Sequence, residues 1–398
     1  MEPIDLAREL GAIRARAPGS DSERRAALLL RDRLAALGRA PAVETLWVRP
    51  NAAAAAAWAT LLGIAGSLLS VAEPRAGLAA LLVVLVAFAA ELTGIRARPL
   101  RLLTRERATQ NVLAPPPPRD GEQPALTLTL VAGCDAPPRA RGLARPLQAA
   151  AAGLWPSARA WLGGALLALV VLAGMRALGQ DGRGVGAAQL VTTVALLAAL
   201  LVLAEISLAP AAGGEREAAA AAVAVALAAA LDAAPPRALA VEVLIAGAAS
   251  ADAAGAERWV RSRRRGVRRE NVAVLAVEPC GAGPPAWRRS DGPLVRLRAH
   301  PQLLALCDRV AREEPALRAR AIAGRGTSLS LPARRAGWAS IAVQSAPSAG
   351  AGKPGAATDP DAGAPAATLE FCLALVGALD DELSRSATAR APAGAAAG

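Results

Sequence analysis

Tyrosine is absent from this 398-residue chain, phenylalanine occurs twice, and lysine occurs once, as Lys353. The four cysteines, Cys134, Cys280, Cys307 and Cys372, are widely scattered with no CxxC pair, which argues against a disulfide framework or a structural zinc site. The N-terminus, MEPIDLARELGAIRARAPG, is charged and lacks an apolar core, so no cleavable signal peptide is expected. What is abundant is alanine, leucine and arginine. The net charge of +12 is almost entirely arginine and implies an anionic partner: phospholipid headgroups, nucleic acid or an acidic protein. The densest basic stretch, 258-RWVRSRRRGVRRE-270, holds seven arginines and one tryptophan. It has no interleaved aromatics and no nucleic-acid-binding signature, so nucleic acid is not expected as a partner. Attraction to anionic lipid and a solvated helix end are the two readings that remain.

Four uncharged apolar runs stand out, at about Ala52–Val71, Ala76–Gly94, Ala160–Leu178 and Gly186–Leu208. Each approaches or exceeds the ~20 residues a helix needs to cross a hydrocarbon core. None has the polar stripe of a helix on a water-soluble domain. The first two are joined only by 72-AEPR-75 and the last two by 179-GQDGRGV-185, which makes two tight hairpins. Residues 1–51, 95–159 and 209–398 are then expected on one side of the membrane. Arg96, Arg98, Arg101, Arg105 and Arg107 follow the second run, and Arg139, Arg141, Arg145 and Arg159 precede the third. The short loops hold only Arg75 and Arg183, so the positive-inside rule puts the bulk of the chain and both termini in the cytoplasm, on a cell (inner or plasma) membrane. Trp58, Trp155 and Trp161 lie near run ends, where an indole suits the headgroup level. Glu91 and Glu205 lie near the cytoplasmic ends of the second and fourth runs, either as functional carboxylates or paired with flanking arginines.

Outside these runs, strand and helix patterns alternate. A helix over about Ser22–Leu37 opens with the capping-box pattern Ser20-Asp-Ser-Glu23. Strands are expected at Leu126–Ala132, Leu239–Ala246, Val272–Val277, near Leu294–Leu297, and at Ser340–Gln344. Helices are expected at Glu217–Leu231, Ala254–Arg263, Pro301–Ala311 and Ala367–Leu383. This predicts an α/β class, a mixed sheet flanked by helices and interrupted by two transmembrane hairpins. The organisation is 1–51 as the first part of the α/β domain, 52–94 as hairpin one, 95–159 with the first strand, 160–208 as hairpin two, 209–385 as the main α/β part and 386–398 as a disordered tail. Sites in such sheets form at the carboxyl ends of strands. Asp135, the segment 247-GAASAD-252 and Glu278 all fall there and make one candidate site.

In this order, these positions resemble the co-catalytic di-zinc aminopeptidase family that includes glutamate carboxypeptidase and the transferrin receptor ectodomain. They resemble most closely its membrane-embedded bacterial branch, in which two helical hairpins interrupt the peptidase domain. The resemblance covers nearly the whole chain, including 18-PGSDSERRAALLLRDRLAALG-38, 109-TQNVLA-114 and 293-PLVRLRAHPQLLALCDRVA-311. It implies a His-X-Asp after the strand at 126–132, with the histidine on one zinc and the aspartate bridging both. Here those positions are Gly133, Cys134 and Asp135.

Carried over position by position, the aspartate of the family's Pro-Gly-Ala-X-Asp-Asn loop becomes Gly214, in 210-PAAGGERE-217. The Glu-Glu pair that supplies general base and ligand becomes Ala249 and Ser250, and the next aspartate ligand becomes Glu278. The final histidine falls in 353-KPGAATDP-360, which offers Pro354 and Gly355, and the one histidine of the chain, His300, matches no ligand. Two carboxylates without imidazole hold zinc weakly, and Ala249 cannot accept a proton. The expectation is a catalytically degenerate membrane pseudopeptidase, binding or scaffolding a protein or peptide partner, with no cofactor. The alternatives are an active zinc-dependent amino- or carboxypeptidase and a transport-related protein. Cys134 and Cys280, beside the two carboxylates, leave a rebuilt metal site as a further alternative, although a free cysteine usually acts as a small buried hydrophobe. Asp135 can equally cap backbone N–H groups, and Glu278 can pair with a nearby arginine.

Overall fold

The computed structural model describes residues 2–93, 98–118, 124–138, 158–211, 213–292, 295–324, 326–346 and 363–390. Arg96, Arg139, Arg141, Arg145 and Trp155, named above for the membrane flanks, lie outside the described residues. The centre of the fold is four parallel strands whose side chains alternate between two cores, as a period of two requires. These are β3 (Leu126–Gly133), β4 (Leu239–Ala246), β5 (Val272–Val277) and β9 (Ala339–Ser345), in the spatial order β4-β3-β5-β9. Leu128, Leu130, Val241, Val243, Leu275 and Val343 face one core; Val131, Leu244, Val274 and Ala342 face the other.

Two antiparallel strands extend the β4 edge, β1 (Ala42–Val48) pairing with β2 (Arg107–Ala114) and β2 with β4. At the other edge β6 (Pro285–Asp291) pairs antiparallel with β9 and with β7 (Leu297–Arg298), and β8 (Arg320–Ala323) joins β6 in parallel. Among the described residues the sheet thus has nine strands, and its mixed, helix-flanked form agrees with the sequence pattern.

The first core is covered by α1 (Pro3–Ala12), α2 (Asp21–Ala36), α7 (Glu215–Ala233), α9 (Pro301–Glu313) and α11 (Gly363–Arg390). Eleven consecutive positions of α7, Ala218–Ala228, are buried, because small side chains let neighbours approach the helix from all sides. The second core is thinner and lies under α8 (Ala254–Arg263) and α10 (Leu331–Arg335), with Trp259 and Trp338 edge-to-face at 5.5 Å.

The apolar runs form two antiparallel helix pairs, α3 (Ala52–Ala72) with α4 (Pro74–Thr93) and α5 (Ala158–Ala177) with α6 (Arg183–Leu208). They share a third apolar cluster that includes Phe88, Leu92, Leu166, Leu169 and Leu196. Small residues bring these helices together: a Cβ on Gly66 would meet Leu81, and one on Gly63 would meet Leu166. Gln189 donates to Ser67 O (2.8 Å) and Ser70 Oγ (2.9 Å), tying α6 to α3. This polar cluster, near the short-loop end of the helices, is not apparent from the apolar runs alone.

Among the described residues, five helices are long and apolar enough to cross a membrane, the fifth being Gly363–Ser386. That one packs in the first core, where Phe371 stacks on Trp287 at 5.6 Å, in keeping with its expected place as the closing helix.

Several expectations are corrected. Of the strand expected near Leu294–Leu297, Leu294 lies outside the described residues, and the strand observed is the two-residue β7, Leu297–Arg298. Of the tail 386–398 expected to be disordered, Ser386–Arg390 continues the last helix, and 391–398 lies outside the described residues. The stretch 95–159 carries β2 as well as β3, and α1, β1, β6, β8 and α10 had no clear sequence signal.

Candidate functional site

The chain leaving β4 makes a turn over 247–253 in which Ala248, Asp252 and Ala253 adopt positive φ of 47°, 58° and 58°. Each non-glycine residue in that region costs about 1–2 kcal/mol, so the turn persists only because its surroundings hold it. Four buried polar side chains do so. Asn111 of β2 braces both ends, accepting from Gly247 N and donating to Gly255 O, each at 3.0 Å. Glu23 of α2 accepts from Ala248 N at 2.7 Å. Asp135, just past β3, accepts from Ala249 N (2.8 Å), Ser250 N (3.0 Å) and Ser250 Oγ (2.5 Å). Arg101, in the single helical turn Pro99–Leu103, binds Asp252 on one side and Glu91 of α4 on the other, the latter at 2.6 Å. Glu91 is therefore paired with a flanking arginine, and that arginine links the apolar helices to the site turn.

The sequence segment Gly133-Cys134-Asp135 is itself pinned. Arg16, 1% exposed, donates to Cys134 O (3.2 Å), Leu10 O (2.6 Å), Ile13 O (2.9 Å) and Gly214 O (3.4 Å). It thereby ties this turn to the end of α1 and to Gly214, the residue that precedes α7.

Electrostatically, the site is a pair of buried carboxyls. Burial pushes the Glu23 carboxyl up to about 7, the Asp135 charge adds to the rise, and donors at Ala248, Gly19 and Thr109 act the other way. Burial also raises Asp135, against the pull of its bonds from Ser250 and Ala249. The role expected for Glu23 needs correcting. Ser20 does cap α2, accepting from Glu23 N at 3.2 Å, but the Glu23 carboxylate turns to Gly19 N at 2.5 Å and to the site turn instead of closing the capping box on Ser20.

Glu278, past β5, belongs to a second network. Its Oε1 accepts from Leu329 N at 2.7 Å and its Oε2 lies 4.0 Å from Arg288. Arg288 also reaches the fully buried Asp291 (3.4 Å), which binds Arg334 (3.2 Å) and the hydroxyls of Ser328 and Ser330. The strand ends bring Asp135 and the 247–252 turn into direct contact. Glu278 is engaged separately, with the Leu329 side chain reaching toward Gly133.

The chemistry of these donors does not fit zinc. Both oxygens of Asp135 are taken by turn N–H groups and the Ser250 hydroxyl, and Glu278 is held by a backbone N–H. Gly133 and Ala249, the positions matched to a histidine ligand and the general base, have closed on each other. A Cβ built on Gly133 lies 2.5 Å from Ala249 Cβ, so no side chain fits at 133 without moving the turn. Among the described residues no three His, Cys, Asp or Glu side chains converge where a metal ion could be held. Gly214 offers only its backbone, and Pro354 and Gly355 lie outside the described residues. Cys134 and Cys280 do not rebuild the set: both are buried in the first core, with thiols pushed up by burial.

Asn111 and Arg101 were not singled out as site residues by sequence reasoning, and Asp252 entered only as the end of the segment 247–252. Of these, Asn111 had a separate signal, in the stretch 109-TQNVLA-114.

The parallel centre, its antiparallel flanks and the helices on both faces make the zinc-aminopeptidase-like fold. It is similar to BSAP, a zinc aminopeptidase from Bacillus subtilis, at a TM-score of 0.52 and 10% identity, covering 94% of this chain and 93% of that one. A glutaminyl cyclase from an Acidobacteriales bacterium superposes at 0.50 with 11% identity, covering 97% and 94%. A Zn-dependent exopeptidase from Parabacteroides distasonis does so at 0.50 with 9% identity, covering 95% and 96%. At these identities the likeness is one of fold alone. No family model and no curated protein matches the sequence.

Proposed function

We propose that the chain is an integral membrane pseudopeptidase, a zinc-aminopeptidase-like domain that binds or scaffolds a protein or peptide partner without hydrolysing it. The observation that carries this is the packing of Gly133 against Ala249: a Cβ at 133, the position the resemblance matches to a histidine ligand, would lie 2.5 Å from Ala249 Cβ, and Ala249, matched to the general base, has no group that accepts a proton. Asp135, one of the two carboxylates left at ligand positions, serves as a clamp on the 247–253 turn, and Glu278 anchors Leu329.

The membrane part of the proposal rests on α3–α6, four apolar helices in two tight hairpins, with arginines concentrated on the side of the sheet domain. On this reading the domain and both termini lie in the cytoplasm, on a cell membrane, against lipid with anionic headgroups. The short interhelical loops leave nothing substantial on the other face. The membrane-embedded branch of the di-zinc aminopeptidases is the corresponding family proposal.

The test is chelator dependence in full-length protein purified in detergent. A pseudopeptidase keeps the same thermal unfolding midpoint with and without chelator, releases no amino acid from amino-acid amides, and yields crosslinked partners in native membranes. Chelator-sensitive amide cleavage would replace the proposal with an active peptidase.

A further inference from the structure

Three of the chain's seven tryptophans, Trp259, Trp287 and Trp338, are buried in the sheet domain, yet Trp47 at the end of β1 is 70% exposed. Leu102 and Leu103, on the helical turn that follows α4, are 69% and 50% exposed. These side chains come from segments that touch: Arg49 donates to Leu102 O (3.0 Å) and Thr104 O (2.7 Å), and Arg101 donates to Arg49 O (3.0 Å). An apolar patch of this kind on the sheet domain calls for something to cover it.

Its position says what covers it. Leu100, two residues before Leu102, is buried in the cluster shared by the apolar helices. Asn51, two residues beyond Arg49, caps α3 by accepting from Ala54 N (2.9 Å) and reaches Ser207 O at the end of α6 (3.1 Å). The patch is therefore continuous with the base of the helix pairs, at the level where a bilayer's headgroups would lie. Exposed Arg105 and Arg107 flank it, and Arg49 stands beside it with Glu106 at 3.7 Å, leaving a net positive rim. A tryptophan with flanking aliphatics and arginines is the chemistry of the membrane interface, where an indole suits the headgroup zone and guanidinium groups meet lipid phosphates.

We infer that Trp47, Leu102 and Leu103 form an interfacial foot by which the sheet domain rests on the bilayer, with Arg49, Arg105 and Arg107 on anionic phospholipid headgroups. The foot rests on the membrane reading proposed above. It adds a contact that holds the β1 edge of the sheet, and with it β2 and Asn111, at the lipid surface.

The experiment uses thiol-reactive NBD on single-cysteine additions, since the four native cysteines are at most 4% exposed and label slowly. Trp47→Cys and Leu102→Cys test the foot. Val86→Cys, 67% exposed midway along α4, reports whether that helix is in lipid, and Arg312→Cys, exposed on α9 toward the far edge of the sheet, is the aqueous control. The full chain is placed in nanodiscs of phosphatidylcholine with phosphatidylserine, and quenching is read from lipids carrying a doxyl group near the headgroup or at mid-chain. The expected result is strong quenching at 47 and 102 by the shallow quencher, strong quenching at 86 by the deep one, and none at 312. Replacing phosphatidylserine with phosphatidylcholine is expected to weaken quenching at 47 and 102 while leaving 86 unchanged. Quenching at 86 with none at 47 and 102 overturns the foot and spares the membrane reading. No quenching at 86 overturns both.

Discussion

The closure at Gly133 makes a prediction whose sign is diagnostic. Gly133 lies at the end of β3 with no positive φ, so its backbone tolerates any residue. Where space allows, Gly→Ala at such a position stabilises by about 0.4–1 kcal/mol, by restricting the unfolded chain. Here the added Cβ meets Ala249 Cβ at 2.5 Å, while Asp135 Oδ1 at 3.6 Å and Leu329 at 4.0 Å are at ordinary distances. The clash therefore has one partner, and that partner sits in a turn clamped by Glu23, Asn111, Asp135 and Arg101. Overpacking of this kind costs about 1–3 kcal/mol, so Gly133→Ala should lower stability by roughly 1–2 kcal/mol net. Ala249→Gly removes the opposing Cβ and should cost less than about 1 kcal/mol on its own. The double variant should recover most of the Gly133→Ala loss, a coupling of about 1 kcal/mol or more. Thermal unfolding in detergent, followed by fluorescence of the buried Trp259, Trp287 and Trp338, reads this directly, at roughly 2–4 °C per kcal/mol. A Gly133→Ala protein as stable as the parent, or strictly additive single effects, would refute the closed site.

Other outcomes follow from the same contacts. The Glu23 carboxyl stands at about 7 against an ordinary 4.5, so the folded state binds its proton more tightly than the unfolded one. Stability is then fully present below about pH 4.5 and declines as pH rises toward 7, by at most on the order of 3 kcal/mol. Glu23→Gln should flatten that slope in melts from pH 4.5 to 8, and an unchanged slope would contradict the assignment. Arg101→Ala leaves the half-buried Glu91 and Asp252 without their shared cation and should cost about 3 kcal/mol, with faster proteolysis in the 247–253 turn than in the parent. Ala224→Leu, at a fully buried position of α7 whose neighbours from 218 to 228 are all buried too, should destabilise by about 1–3 kcal/mol or more, read as a lowered unfolding midpoint.

Much of the fold is legible in the residues. The four apolar runs lie within a few residues of α3–α6 because their few charged residues, such as Arg75, Glu91, Arg176 and Glu205, sit near the helix ends and leave an unbroken apolar middle. The buried strand β5 is a continuous apolar run, as a parallel strand covered on both faces should be, and β3 and β4 are nearly so, interrupted only by Thr127 and Thr129 and by Glu242, which accepts from Thr129 Oγ1 and pairs with Arg263. β1 and β6 were not legible for the opposite reason. AVETLWV is a mostly exposed edge strand with only Leu46 buried, and PAWRRSD carries two adjacent arginines, Arg288 partly covered and Arg289 exposed. Neither has a strong period without the strand beside it.

The site was legible by halves. Missing ligand types could be read from identities at Gly133, Gly214 and Ala249, but what took their place could not. The Glu23 contact with Ala248 spans 225 positions of sequence, so nothing near Glu23 distinguishes it from an ordinary helix cap. Asp135 was open between a vestigial ligand and a backbone clamp, and the hydrogen bonds from Ala249 and Ser250 are those of a clamp. Arg101 was counted as one of many flanking arginines, and its role depends on α4 and the 247–253 turn meeting at one place.

The most direct test of the central claim is zinc stoichiometry of the full-length, detergent-purified protein after dialysis against excess zinc and then buffer. The account predicts near-zero retained zinc, unchanged by Asp135→Ala or Cys134→Ser. One or two zinc ions per chain, lost on either substitution, would contradict it.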